Sequence, residues 1–351
     1  MTENSSTTPS IGKKRIILIA ASVLFLVIGI TAGVLYACFK PGTFDGGKRE
    51  YIYIYPHSTL NEVVARLEPY GAGRLRAFQF LYRYFKLDEN VPVGAYMVES
   101  GQSEVDFLKN IYRRQQTPVK FTFNNTRTID GVAVRAGEQL LMPADSLRNI
   151  LLNEQTPEEF GFTAATFPAM FIPNTYELYW NIGAKAFVTR MKREYDLFWN
   201  EKRKTKAEKI GLTPLEVSIL ASIVEEESNR HDEQSIIAGL YLNRLRRGML
   251  LQADPTVKFA VGDFTLKRIL NEHLKTASPY NTYLHAGLPP GPIRVPSLQA
   301  IEAVLNAASH NYLYMCAKED FSGRHNFATT LREHNQNAAR YHNALNRLRV
   351  R

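Results

Sequence analysis

The chain has 351 residues, 45% hydrophobic and 22% charged, with a net charge of +9 and two cysteines. That length exceeds a typical single domain, and the composition supports a packed core and excludes a collagen-like or low-complexity chain. Two cysteines exclude a disulfide framework and a cysteine-rich zinc module, and a mean hydropathy of −0.24 excludes a polytopic membrane protein. The basic balance points to an anionic partner: nucleic acid, a membrane surface or an acidic polymer.

Residues 1–15 read as a polar tail closed by Lys13, Lys14 and Arg15. Ile16–Phe39 then runs 24 residues without a charge, long enough as a helix to cross a bilayer. It is longer than the apolar region of a signal peptide and has no A-x-A-like exit. Tyr36 stands where a lipoprotein site at Cys38 needs a small residue. A retained single-span anchor is the expectation. Lys40, Lys48 and Arg49 balance the basic residues before the span, so charge asymmetry says little about orientation. The short leading tail favours an internal N-terminus with the remainder outside. Nucleic acid then drops out as a partner.

Residues 40–50 read as a Gly-rich linker. Tyr51–Tyr55 alternates rings and β-branched residues, as a strand does. Thr59-Leu60-Asn61-Glu62 fits a capping box opening a helix to Leu67. A second helix is expected over 74–85, a strand over 93–98 and a helix over 103–112 opened by Ser103. Strand–helix–helix–strand in so short a span suits a small peptidoglycan-binding module, though any small α+β module shares the pattern. Further along, 119–123 reads as a strand, 130–155 as helical with a break at Pro143, and 171–176 as an aromatic loop or strand end. Residues 184–209 read as one long charged helix whose lysines and arginines form a solvated face.

Thr213-Pro214-Leu215-Glu216 carries a cap, a proline at the first position and an acid at the third, a strong helix start. With Leu220 at the origin and 100° per residue, Val217, Ile223 and Val224 define an apolar stripe. Glu225 and Glu226 fall off it; Glu227 falls at about −20°, inside it. A carboxyl carried into apolar surroundings has its pKa raised and stays protonated near neutrality, as a general acid requires. The competing reading is a helix that ends earlier and leaves Glu227 in solvent. Downstream, Asn243 and Arg244 sit on an amphipathic helix over 236–246, 251–257 reads as extended, and Tyr280-Asn281-Thr282-Tyr283 precedes a Pro-fixed loop at 287–293. Residues 312–314 and 325–327 read as neighbouring strands.

LASIVEEES, NRLRRGMLLQADPTVKFAVG, SPYNTYLHAGLPPGPI, YLYMCA and HNFATTLREHN occur in that order between Leu220 and Asn335. Together they resemble the MltG (YceG-like) family of endolytic murein transglycosylases. The resemblance runs from about Phe171 to the C-terminus; the anchor and the strand–helix–helix–strand module, LysM-like in that family, are similar as well. It implies cleavage of the β-1,4 bond between N-acetylmuramic acid and N-acetylglucosamine in nascent glycan strands. The muramyl C6 hydroxyl attacks C1, leaving a 1,6-anhydromuramyl end and terminating strand growth. The family's glutamate before Ser/Thr is Glu227 here. It would donate a proton to the glycosidic oxygen and then take one from the C6 hydroxyl. Ser228, Gln252, Asn281, Tyr283 and His325, with Asn243, Arg244, Tyr280 and Thr282 from the same motifs, are candidates for orienting sugars or stabilising charge. Glu225 matches a motif acid and supports the site. Asp254 is the candidate second carboxylate. Asn174 stands where the family commonly has Asp, and residues 124–142 lack the family's Pro-Glu-Gly turn.

The expected organisation is α+β: a cytoplasmic tail (1–15), a transmembrane helix (16–39), a linker (40–50), a LysM-like module (51–115), a connecting segment (116–165) and a catalytic domain (166–351). The resemblance implies glycan strands, membrane lipid and peptidoglycan synthases as partners, at the outer side of a bacterial cytoplasmic membrane. No cofactor or metal is expected: eight scattered histidines form no H-E-x-x-H pattern. Two alternatives stay open, a muramidase-type hydrolase using Glu227 with Asp254 and a non-catalytic peptidoglycan-binding scaffold.

Overall fold

The computed structural model describes residues 11–40, 44, 49–71, 75–124, 126–266 and 268–347. Residues 1–10 of the tail expected over 1–15 and most of the linker expected over 40–50 lie outside these, as does Arg74; residues 11–15 of that tail are instead the first turn of a helix. Helix α1 (Ile11–Phe39) includes the stretch Arg15–Tyr36, 22 residues of mean hydropathy 2.7 with no buried surface, long and apolar enough to cross a membrane. The chain divides into two compact units, 1–119 with 179–181, and 120–178 with 182–351.

In the first unit, β1 (Glu50–Ile54), α2 (Leu60–Leu67), α3 (Arg76–Tyr84), β2 (Gly94–Val98) and α4 (Glu104–Tyr112) follow in order. β1 and β2 pair antiparallel, from Glu50 opposite Val98 to Ile54 opposite Gly94. The period-2 pattern turns Ile52 and Ile54 into a core with Val63, Leu67, Phe78, Phe107 and Ile111. The Thr59 capping box forms: Thr59 Oγ1 accepts from Glu62 N–H at 3.3 Å and Glu62 Oε2 accepts from Thr59 N–H at 3.0 Å. Ser103 caps α4.

The second unit begins with β3 (Val119–Phe123), α5 (Ile129–Gln139), α6 (Ala144–Leu151), α7 (Thr156–Glu159) and β4 (Asn174–Leu178), the last paired with β3. The charged run is two helices, α8 (Ala184–Phe198) and α9 (Glu201–Ile210), rather than one. The break has a local cause: Asn200 accepts from Arg203 N–H at 3.1 Å as an N-cap, and Trp199 is turned into the core.

Helix α10 (Pro214–Glu227) starts as its sequence predicts, with Thr213 and Glu216 reciprocally bonded at 3.2 and 2.7 Å. It packs against α9, α11 (His231–Arg246), α12 (Asp254–Val261) and α13 (Leu298–Leu305). Its buried residues run without a gap from Val217 to Glu225. It is therefore a central helix covered on every side, not one with a single apolar stripe. Small Ser218, Ala221 and Ser222 allow neighbours to approach; Ser222 Oγ accepts from Ile293 N–H at 3.0 Å, anchoring the Pro-rich loop. Gly291 in that loop admits no side chain, since a Cβ there would stand 1.9 Å from the Ala165 carbonyl oxygen.

The segment expected to be extended over 251–257 turns helical at Asp254. Pro255 causes this, being tolerated in a first turn where its missing N–H costs nothing. α11 begins five residues earlier than the predicted 236. β5 (Tyr314–Ala317) and β6 (His325–Ala328) form an antiparallel hairpin, Ala317 opposite His325, and α14 (Leu331–Arg347) packs on both strands. The strand predicted at 312–314 is displaced toward Ala317.

Leu220 is wholly buried in α10. Leu220→Ala is expected to lower stability by about 3 kcal/mol, since the covered helix cannot collapse into the void; denaturant unfolding of the purified chain followed by circular dichroism measures it.

Candidate functional site

Glu225, Glu226 and Glu227 form the last turn of α10, where unpaired carbonyls already disfavour negative charge. Each meets a different environment. Glu225, 8% exposed, accepts from Ser297 N–H at 2.8 Å, with Arg294 Nε at 3.7 Å. Glu226 pairs with Arg294 Nη1 at 2.5 Å and Arg127 Nη2 at 3.4 Å. Glu227 has no ion pair among the described residues. Its Oε1 accepts from the buried Tyr241 hydroxyl at 2.5 Å.

Burial pushes the Glu227 carboxyl up to about 7. The negative charges of Asp254 and Glu226 push the same way, against the Tyr241 hydrogen bond and the charge of Arg244. Burial and the facing Glu227 also hold the Tyr241 hydroxyl well above its ordinary value, so it stays a donor.

Glu227 opens on a cavity of about 270 Å³ that also receives Tyr241, Arg244, Gln252, Asp254, Tyr283, Cys316 and His325. Five predicted residues thus join Glu227. The Tyr283 hydroxyl donates to Asp254 Oδ1 at 2.6 Å, fixing that carboxylate on the wall. Arg244 is buried and donates to the carbonyls of Leu313 (2.6 Å), Leu251 (2.8 Å) and Leu250 (3.2 Å), which ties α11 to two walls of the cavity. Gln252 has a left-handed backbone (φ 50°), uncommon and mildly costly for a residue with a side chain. Its N–H donates to Thr282 at 3.1 Å while its side chain accepts from Arg244 at 3.3 Å. A second hollow of about 430 Å³ shares Glu227, Ala317 and His325 with the first and adds Ser228, Arg230, Lys318, Arg324 and Tyr341.

The remaining predicted residues build the frame. Asn281 is wholly buried; its amide donates to the carbonyls of Leu274 and Thr276, both at 2.9 Å, and its oxygen accepts from Tyr283 N–H at 3.0 Å. Thr282 shares a 2.8 Å hydrogen bond with Thr256 and accepts from Ala253 N–H at 3.0 Å, holding Asp254 beside Tyr283. Asn243 donates to the carbonyls of His310 and Tyr312. The Tyr280 ring packs 4.6 Å from Phe259. Ser228 Oγ accepts from Arg230 N–H at 3.0 Å and turns the chain after α10.

Tyr241 and Glu233 were not predicted. Each sits on the buried face of α11, and a buried hydroxyl or carboxyl demands a partner; that demand was the available signal. Among the described residues no group of three or more His, Cys, Asp or Glu side chains is arranged to hold a metal ion. Another hollow, about 700 Å³, lies in the first unit between the turn after β1 and the loop before β2, lined by His57, Asn61, Arg83 and Asp88 among others. The Glu227 cavity is smaller but holds the carboxyl with raised proton affinity, which makes it the candidate reaction site.

The profile of the YceG-like family matches residues 52–340. The chain is 34% identical over 175 residues to the endolytic murein transglycosylase of Bacillus subtilis (strain 168), covering 50% of this chain and 46% of that protein. It is 26% identical over 332 residues to that of Streptococcus pneumoniae serotype 2 (strain D39 / NCTC 7466), covering 86% and 60%. The chain thus spans about half to three-fifths of the length of these curated relatives. A solved yceG-like protein from Listeria monocytogenes superposes with a TM-score of 0.52 at 25% identity, covering 82% of this chain and 98% of that one.

The forces on Glu227 make opposite predictions for two neighbours. Tyr241→Phe removes a hydrogen bond to the charged form and raises the carboxyl above about 7, by roughly one unit. Asp254→Asn removes a repelling charge and lowers it. Carbon-13 NMR titration of labelled glutamate carboxyls reads both shifts.

Proposed function

Because the chain belongs to the YceG-like family, we propose that it is an endolytic murein transglycosylase whose proton donor is Glu227. The observation that carries this is a carboxyl held near pKa 7 at the junction of two hollows, a place where a polymer can lie across it. Protonated Glu227 gives its proton to the glycosidic oxygen as C1 of the muramyl residue gains oxocarbenium character. The C6 hydroxyl oxygen closes on C1 and leaves a 1,6-anhydromuramyl end. The attacking oxygen belongs to the substrate, so no second carboxylate is needed to activate water, in contrast to a paired-carboxylate hydrolase. Tyr241 holds the Glu227 side chain in one orientation and stabilises the carboxylate formed after donation. Arg244, Gln252, Asp254, Tyr283 and His325 line the path of the sugars, where hydrogen bonding and stacking orient them.

The wider reading follows from that substrate. α1 anchors the chain in a bacterial cytoplasmic membrane, N-terminus inside and both units on the outer side, where nascent glycan emerges from peptidoglycan synthases. Cleavage there terminates strand growth. The β1–α2–α3–β2 order of the first unit supports a LysM-like module that holds glycan near the anchor.

Asp254 faces the same cavity as Glu227, which keeps muramidase-type hydrolysis as the second reading. Mass spectrometry of digested, uncrosslinked glycan strands separates the two: anhydromuramyl ends are expected, and free reducing ends would sink the transglycosylase reading. Glu227→Gln is expected to abolish cleavage, about 10³-fold or more in rate; unchanged cleavage would mean another acid, and no cleavage by the wild type would mean a binding scaffold. In the wild type, the rate is expected to fall as pH rises through about 7, because the protonated carboxyl is the active form.

A further inference from the structure

Forming the anhydro ring moves two protons. One goes to the departing glycosidic oxygen, and one must leave the C6 hydroxyl. The structure holds a second proton-handling group beside Glu227. Glu233 on α11 is 5% exposed, and both its oxygens are given to one residue: Oε1 accepts the His325 backbone N–H at 3.1 Å, and Oε2 lies 3.0 Å from His325 Nδ1. A buried carboxylate facing Nδ1 keeps the proton on that nitrogen and leaves Nε2 as the available base. Among the described residues Nε2 has no hydrogen-bond partner, and the ring lines both hollows that meet at Glu227. An imidazole clamped in one tautomer on the cavity wall, with its other nitrogen unpartnered among the described residues, is built as an acceptor.

We propose that His325, oriented by Glu233, takes the C6 hydroxyl proton, so that the donor and acceptor roles fall on two residues. This rests on Glu227 being the acid. The C6 O–H bond breaks as its proton passes to Nε2, and the oxygen lone pair forms the bond to C1. The bond from C1 to the glycosidic oxygen breaks with its electron pair on that oxygen, which receives the proton of Glu227. Solvent then returns the proton from His325 to Glu227. The groups that bear on the imidazole are accounted for. Glu227 comes from α10, Tyr241 and Arg244 from α11, Asp254 from α12, Tyr283 from the loop after it and Cys316 from β5. On the second hollow, Lys318 pairs with Asp320 and Arg324 with Asp232, while Arg230 donates to the Ser322 carbonyl and Tyr341 projects from α14.

The test follows the full-length chain in detergent micelles acting on uncrosslinked glycan strands, counting anhydromuramyl ends against pH. The wild type is expected to lose rate as pH rises through about 7, as Glu227 loses its proton. His325→Asn should lower kcat about 100-fold with KM little changed, and should keep that fall in rate. Added imidazole should restore part of the rate to His325→Ala, which a folded site alone permits. Glu233→Gln should lower kcat by less than His325→Asn does. An unchanged kcat in His325→Asn, a loss confined to KM, or no rescue of His325→Ala by imidazole overturns the proposal and makes His325 a sugar contact. Glu227→Gln run in parallel separates the two readings. Its inactivity beside an unaffected His325→Asn removes only this inference, whereas its retained activity removes the acid assignment itself.

Discussion

Three consecutive carboxyls at the C-terminal end of a covered helix form the constraint on which the rest of the second unit depends. Their charges repel one another, the helix end repels all three, and burial penalises each. The fold answers with unequal partners. Arg294 reaches Glu226 at 2.5 Å and lies 3.7 Å from Glu225, which also takes the Ser297 N–H that opens α13. Glu227 receives a neutral phenol instead. The asymmetry keeps two charges fixed and leaves the third residue able to exchange a proton.

The cavity walls belong to segments far apart in sequence, and a few buried polar groups decide where they stand. Arg244 joins α11 to Leu313 before β5 and to the strained turn at Gln252. Thr256 and Thr282 lock the start of α12 to the loop that carries Tyr283. Each is a low-dielectric hydrogen bond whose loss leaves an unsatisfied partner, so they specify position more than they add stability. The predicted polar residues therefore divide into those that meet the cavity and those that hold its walls. Asn281 and Thr282 do as much for its geometry as Gln252 and Tyr283 do for its surface.

Sequence reasoning reached the parts governed by local chemistry. The Thr59 and Thr213 caps, the Pro143 break and the β1 alternation are all decided within a few residues, and all form. The wheel that selected Glu227 assumed one apolar stripe. α10 is instead buried all round, and Glu225 is the more deeply covered of the two. Glu227 is distinguished by which cations its neighbours attract, and Arg127 and Arg294 lie 99 and 68 residues from Glu226. No periodicity carries that information. The family motifs located Glu227, Asp254 and His325 but were silent on Tyr241 and Glu233, whose roles arise from what α11 faces. The extended reading of 251–257 failed because proline favours a first helical turn as well as a loop.

The basic excess also changes meaning. α8 and α9 carry much of it, and several of their cations are met nearby: Arg190 by Glu194, Lys192 by Asp196, Lys204 by Glu201, and Arg203 and Lys206 by Glu302. Exposed pairs of this kind contribute little to stability and are screened by salt. The second hollow is similarly balanced, with Lys318 and Arg324 each beside an aspartate. On the proposed reading the substrate is a glycan backbone, a largely neutral polymer, and a site that reads it needs hydrogen-bond geometry more than potential. The rigid polar frame around Glu227 meets that need, and the charge of the helices outside it serves mainly to keep a long surface solvated.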